Sequence, residues 1–266
     1  MKKAFGITFF FFELFFFFLI TVKGETIKPA ETKNFFELRI YHLKNNEQLA
    51  SVENFLQQAL IPALHKAGIV TVGVFKPVGN DTATDKKIYI LIPYKTLDIF
   101  KELPGKIQKD AVYQQAASEY LNTPYNKPVY DRIETILMQA FEYMPTLNKT
   151  KLSGNKLDRI YELRSYESAT EKLYKNKVKM FNQGGEIPLF DRLGFNAIFY
   201  ADVISGSSMP NLMYMTSFEN MASRDEHWKA FGNDPEWKKL SAMPEYQNNV
   251  SKINISFLTS TEYSDL

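Results

Sequence analysis

One five-residue pattern constrains the fold more than any other feature, because it occurs twice: Glu37-Leu38-Arg39-Ile40-Tyr41 and Glu162-Leu163-Arg164-Ser165-Tyr166. Around each copy the residues alternate in kind with a period of two, as in a strand with unlike faces. Phe36, Leu38 and Ile40 form one side of the first copy, and Tyr161, Leu163 and Ser165 one side of the second. Glu37, Arg39 and Tyr41, then Glu162, Arg164 and Tyr166, form the other sides. The polar trio is the part that recurs unchanged.

Each copy opens a unit of the same internal order. After a strand over residues 35–43, Asn45 and Asn46 offer caps to a helix whose Leu49, Val52, Leu56, Ala59, Leu60 and Ala63 keep three-and-four spacing. Pro62 is expected to bend or end it, and Gly68 to close it. Strands are expected over residues 70–78 and 87–94, joined by the turn-rich Gly79-Asn80-Asp81-Thr82. A helical pattern over residues 96–120 breaks at Pro104-Gly105, and a strand over residues 133–141 ends the unit. Strand, helix, strand, strand, helix, strand is the split βαβ order of ferredoxin-like units.

The second half repeats that order. Ser168-Ala169-Thr170-Glu171 is a capping box. Ile187-Pro188-Leu189-Phe190-Asp191-Arg192-Leu193-Gly194 matches Ile61-Pro62-Ala63-Leu64-His65-Lys66-Ala67-Gly68 at an offset of 126, and residues 212–222 match 88–98 at 124. Nearly constant offsets point to two copies. Later, Arg224-Asp225-Glu226-His227-Trp228-Lys229-Ala230-Phe231 is helical, and Asp234-Pro235 caps and restarts a helix. Trp228, Phe231, Trp237 and Leu240 are helically spaced and expected in the core; a strand over 253–258 closes the unit.

A split βαβ unit covers one face of its sheet with helices and leaves the other bare, and a second copy covers that face, sheet against sheet. The expected fold class is α+β: two tandem ferredoxin-like (βαββαβ) units packed as a pseudo-dimeric α+β barrel. At 45% apolar and 15% aromatic residues the chain can fill such an interior. If Leu38 and Leu163 pack on the helices, the polar trios point into the barrel. There an Arg beside a Tyr suits bidentate capture of a carboxylate. The plainer alternative is that Glu37 with Arg39, and Glu162 with Arg164, are ion pairs that fix the register of the sheets.

Lys2 and Lys3 precede an apolar run from Ala4 to Val22, broken by Glu13, and Val22-Lys23-Gly24 offers a cleavage site. This has the form of a secretory signal peptide, the alternative being a retained membrane anchor, for which Glu13 is costly. The expected organisation is residues 1–24 as signal peptide, 25–33 as exposed leader, 34–141 as first unit, 142–158 as linker, 159–260 as second unit and 261–266 as tail. Loss of Lys2, Lys3, Lys23 and Glu13 takes the formal charge from +2 to zero, so nothing in the mature chain calls for nucleic acid. The chain has no cysteine, which excludes disulfides and thiolate chemistry. His42, His65 and His227 lack metal-ligand spacing.

With these residues laid out, the chain resembles the NIPSNAP family of the dimeric α+β barrel superfamily. Tyr161-Glu162-Leu163-Arg164-Ser165-Tyr166 looks like its opening strand, and Arg224 to Phe231 with Asp234-Pro235-Glu236-Trp237 like its R-x-x-x-W-x-x-F … D-P-x-W helix. The first unit keeps the strand but lacks both tryptophans and the Asp-Pro step. The resemblance implies the fold and supplies no catalytic set. Related barrels that bind haem through a helix histidine make His227 the one haem candidate. Others that oxygenate or isomerise polyketide-like rings without a cofactor make Asn196, Tyr200 and Tyr214 candidates. The expected protein is an exported ligand-binding or interaction module, with no cofactor or metal, enclosing a small apolar or carboxylated ligand between Glu37, Arg39, Tyr41, Glu162, Arg164 and Tyr166. The alternative is a cofactor-independent oxygenase or isomerase. Membrane contact is expected only through an uncleaved N-terminus, and further oligomerisation through edge strands stays open.

Overall fold

The computed structural model describes Met1 and residues 32–266. The expected signal peptide, and the leader up to residue 31, lie outside the described residues.

The first half runs β1 (Phe35–Leu43), α1 (Asn46–Phe55), α2 (Ile61–Lys66), β2 (Gly73–Pro77), β3 (Lys86–Tyr94), α3 (Leu97–Ile107), α4 (Ala111–Ala116), α5 (Ser118–Leu121) and β4 (Arg132–Ala140). The second runs β5 (Ile160–Glu167), α6 (Glu171–Phe181), α7 (Glu186–Arg192), β6 (Asn196–Ser205), β7 (Asn211–Phe218), α8 (Met221–Asn233), α9 (Pro235–Ser241) and β8 (Lys252–Ser260). The strands close a barrel in the order β1-β3-β2-β8-β5-β7-β6-β4. Each half contributes a four-stranded antiparallel sheet, and pairing of β2 with β8 and of β4 with β6 joins the sheets edge to edge. The registers correspond: Arg39 lies opposite Ile90 on β3, and Arg164 opposite Tyr214 on β7.

The barrel is filled from both halves. Phe36, Leu38, Ile40, Leu91 and Met138 share one buried cluster with Tyr161, Leu163, Phe199, Met213 and Met215. The Leu38 and Leu163 sides therefore point inward and the Glu-Arg-Tyr sides outward beneath the helices, the reverse of the orientation that placed the polar trios inside the barrel. Size decides it. An eight-stranded barrel is just wide enough for side chains to fill, and four charges at its centre would cost far more than leucines.

Three local features also differ from the sequence reading. The helix does not end at Pro62: a π-helical turn over Leu56–Leu60, closed by the Ile61 N–H donating to the Leu56 carbonyl, carries α1 into α2. The helix α3 runs through Pro104 to Ile107, and the break comes where Asp110 receives the N–H of Val112 at 2.9 Å and caps α4. Residues 261–266 pack along β2. Thr261 N–H donates to the Val74 carbonyl at 3.0 Å, Ser264 Oγ receives the Val74 N–H at 2.9 Å, and Leu266 joins the barrel interior.

Candidate functional site

In the second half, Glu162 is fully buried and fully engaged. Arg164 Nε donates to Oε1 at 2.6 Å, Arg224 donates to both oxygens at 2.8 Å, and Trp228 Nε1 donates to Oε2 at 2.7 Å. The Trp228 ring lies over the Arg164 guanidinium, 3.7 Å from centroid to carbon. Arg164 Nη1 in turn donates to Tyr166 Oη at 3.0 Å. Burial would raise the Glu162 carboxyl; the Arg224 hydrogen bonds and the Arg164 charge outweigh it and hold the group below the usual carboxylate range. The geometry comes from α8, which carries Arg224 and Trp228 four residues apart on one face and is started by Asn220 accepting the Ser223 N–H at 2.9 Å.

The same strand position in the first half is open. Arg39 Nε donates to Glu37 Oε1 at 2.9 Å and Tyr94 Oη to Oε2 at 2.8 Å. Tyr94 thus stands in for Trp228 as donor, on β3 instead of a helix. Among the described residues, no ring lies over the Arg39 guanidinium, and Arg39 makes no bond to Tyr41 as close as the 3.0 Å bond from Arg164 to Tyr166, although the two side chains interact. Its side chain keeps 23% exposure, against 9% for Arg164. In front of it lies a cavity of about 200 Å³ whose lining includes Arg39, Tyr41, Tyr94, Leu103, Tyr113 and Tyr120. Tyr41 Oη lies 3.2 Å from Tyr120 Oη. Burial pushes the phenols of Tyr41, Tyr94 and Tyr120 up, with Glu37 adding to the effect on Tyr94, so all three are hydrogen-bond donors at neutral pH. Burial would lower the Arg39 pKa, but Glu37 more than compensates and the guanidinium stays charged.

The two halves differ at four matched core positions, where the second half carries aromatic rings and the first aliphatic side chains. The ladders place Val74 opposite Ile90 and Tyr200 opposite Tyr214. With the octapeptide match, Leu64, Ile69, Val74 and Ile90 correspond to Phe190, Phe195, Tyr200 and Tyr214. In the second half these rings pack on one another and on Trp228, with Phe195 to Trp228 at 5.0 Å and Phe190 to Trp228 at 5.8 Å. Of the smaller first-half residues, Leu64 lines the cavity.

The sequence model of the NIPSNAP family matches residues 161–265. That match spans most of the second half and none of the first. No curated protein matches the chain. Among solved structures, a candidate monooxygenase of Fusobacterium nucleatum subsp. nucleatum ATCC 25586 superposes with a TM-score of 0.54 at 9% identity, over 86% of this chain and 93% of that one. A candidate monooxygenase of Lactobacillus acidophilus NCFM gives 0.53 at 9% identity, over 86% and 94%. A NIPSNAP family protein of Agrobacterium tumefaciens str. C58 is 20% identical over 44% of this chain and 98% of its own, with a TM-score of 0.37. The first two likenesses are of fold alone, the pseudo-dimeric α+β barrel.

Within the second half, Glu162, Arg164 and Tyr166 form the sealed network just described. In the first half, Arg39 and Tyr41 face the cavity while Glu37 holds Arg39 from behind. Structure thus separates the six sequence-derived candidates into two groups of three, one on each sheet's helix-covered face. Tyr94, Tyr113 and Tyr120 escaped the sequence reading; the offset of 124 that pairs Tyr94 with Phe218 was the available signal. Tyr200 and Tyr214 are buried in the second half, their phenols pushed well up by burial. Asn196 lines a larger groove of about 560 Å³ between the linker and α7, whose Lys149, Lys151 and Asp191 are exposed. That groove lacks convergent buried polar groups. His227 is wedged against Phe195 and Phe218, its Nδ1 2.7 Å from the Ser223 carbonyl. Among the described residues, no cluster of three or more His, Asp and Glu is placed to hold a metal ion, and no helix is long and apolar enough to cross a membrane.

Proposed function

We propose that the protein is an exported module that holds a small carboxylated ligand with an apolar body in the first-half cavity and does not turn it over. The observation that carries this is the contrast between Arg39 and Arg164. The same residue at the same register is sealed under Trp228 in one half and opens on a largely apolar cavity in the other. A guanidinium that faces a cavity in such surroundings is a strong carboxylate donor, and Tyr41 and Tyr120 offer further O–H groups. Binding without catalysis follows from the other polar groups. The phenols are donors and not bases, and both Glu37 oxygens are taken by Arg39 and Tyr94. The two halves are read as copies of one unit, the matching registers and offsets supporting that history.

The test is what the mature chain carries. Mass spectrometry of small molecules released on denaturation is expected to find a carboxylate in the wild type and in Arg164→Leu that remains folded, and to lose it in Arg39→Leu. Undiminished ligand in a folded Arg39→Leu chain overturns the reading, and conversion of the ligand on incubation in air moves it to a cofactor-independent oxygenase or isomerase. Export rests on the Lys2-Lys3 start and the apolar run to Val22. Intact-mass analysis is expected to give a chain beginning at Glu25; a retained residue 1 at the membrane means an anchor instead.

A further inference from the structure

The second half contains its own picture of what an Arg at this register accepts. Trp228 lays a flat ring over the guanidinium of Arg164 at 3.7 Å, and the ring is walled by Phe190, Phe195 and Phe231. Its polar edge meets Glu162. In the first half the polar part of that role is already taken, because the Tyr94 hydroxyl donates to the equivalent oxygen of Glu37. The uncovered face of Arg39 is what remains, along with its Nη1 edge beside Tyr41. From this contrast we infer that the ligand is a single aromatic ring on a short carboxylate arm, the ring lying flat on the Arg39 guanidinium and the carboxylate reaching its Nη1 edge. The inference rests on the first-half cavity being the binding site, and adds the nature of the ligand's apolar body.

Size and walls agree. A dry protein cavity of about 150 Å³ admits benzene; at about 200 Å³, this one has room for a ring and a carboxylate. The wall beside Arg39 is itself aromatic. Phe55 and Tyr120 stack at 3.7 Å with an interplanar angle of 7°, Tyr113 meets Phe55 edge-on, and Tyr41 touches Tyr120 through its hydroxyl. A planar ring gains both cation–π contact with Arg39 and edge-to-face contact with these rings, which a saturated ring of the same carbon count does not.

Phenylacetate and cyclohexylacetate separate ring from charge, since they share carbon skeleton and carboxylate. In titration calorimetry with the mature chain, phenylacetate is expected to bind one per chain and at least about tenfold more tightly than cyclohexylacetate. Arg39→Lys keeps the charge but not the planar face. In that variant, with thermal unfolding run alongside to establish the fold, the preference is expected to fall to within about twofold while both acids still bind. Equal affinity of the two acids for the wild type overturns the aromatic inference and leaves the carboxylate site standing. A failure of both to bind at millimolar concentration overturns the two together.

Discussion

Glu37 and Glu162 share a register position and an arginine neighbour, yet only Glu162 is locked by a second arginine and an indole. Removing its charge alone would strand Arg164 and Arg224, so Glu162→Gln is expected to destabilise the fold by about 3–5 kcal/mol, measured by urea unfolding. The sign of its pH dependence follows from the lowered pKa. The unfolded chain takes up the proton first, so the stabilisation is complete above the ordinary carboxylate range and is lost as pH falls through the depressed folded-state value. Unfolding followed from neutral pH down to about pH 2 should show the wild type losing stability that Glu162→Gln does not lose further. The polar trio was legible in the sequence because a period of two reveals that a strand has unlike faces. Which face looks inward was not, since alternation is symmetric under that exchange and only barrel diameter breaks the tie.

Helix packing shows the same economy of charge in the contact between α6 and α7. Lys177 Nζ lies 2.7 Å from Glu186 Oε2, with both side chains buried and the ammonium 4.7 Å from the Phe181 ring centre. Burial pushes the Glu186 carboxyl up against the pull of Lys177. Lys177→Met alone should cost about 3–5 kcal/mol, and adding Glu186→Leu should restore wild-type stability or exceed it. Thermal unfolding of the two variants checks this, and a double variant no better than the single one would show that the pair does more than offset its own desolvation. At the start of α9, Asp234 accepts the N–H groups of Glu236 at 2.9 Å and Trp237 at 3.3 Å and also pairs with Arg192. Asp234→Ala should lower stability by about 1–2 kcal/mol, read from the denaturation midpoint. This cap was legible because Asp-Pro is a local signal. Pro62 and Pro104 misled because tertiary packing held their helices together across the proline, once by widening a turn and once by continuing through it.

For the whole molecule, the interior shared by the two sheets predicts that neither half unfolds alone. Phe36 is fully buried against Phe199 of the other half, with ring centres 5.4 Å apart. Phe36→Ala should cost about 3–5 kcal/mol. Both tryptophans, Trp228 and Trp237, belong to the second half. Their fluorescence should therefore shift to lower denaturant together with the far-UV signal in this first-half variant; an unmoved tryptophan transition would mean separable halves. The element order and closure of the barrel were readable from the recurring pattern of strands and helices. The packing of residues 261–266 along β2 was not, because short polar segments carry no periodicity and their partners lie nearly 190 residues away, as in the Val74 to Ser264 hydrogen bond.

Covalent linkage of the two sheets has an evolutionary consequence. In a symmetric pair of separate chains any change appears on both sides at once, so a tryptophan that seals one arginine would seal its twin. Here α8 could acquire Trp228 and Arg224 while Arg39 stayed uncovered. On the function proposed above, the chain thereby divides its labour, one half stiffening the shared barrel and the other left free to meet a guest.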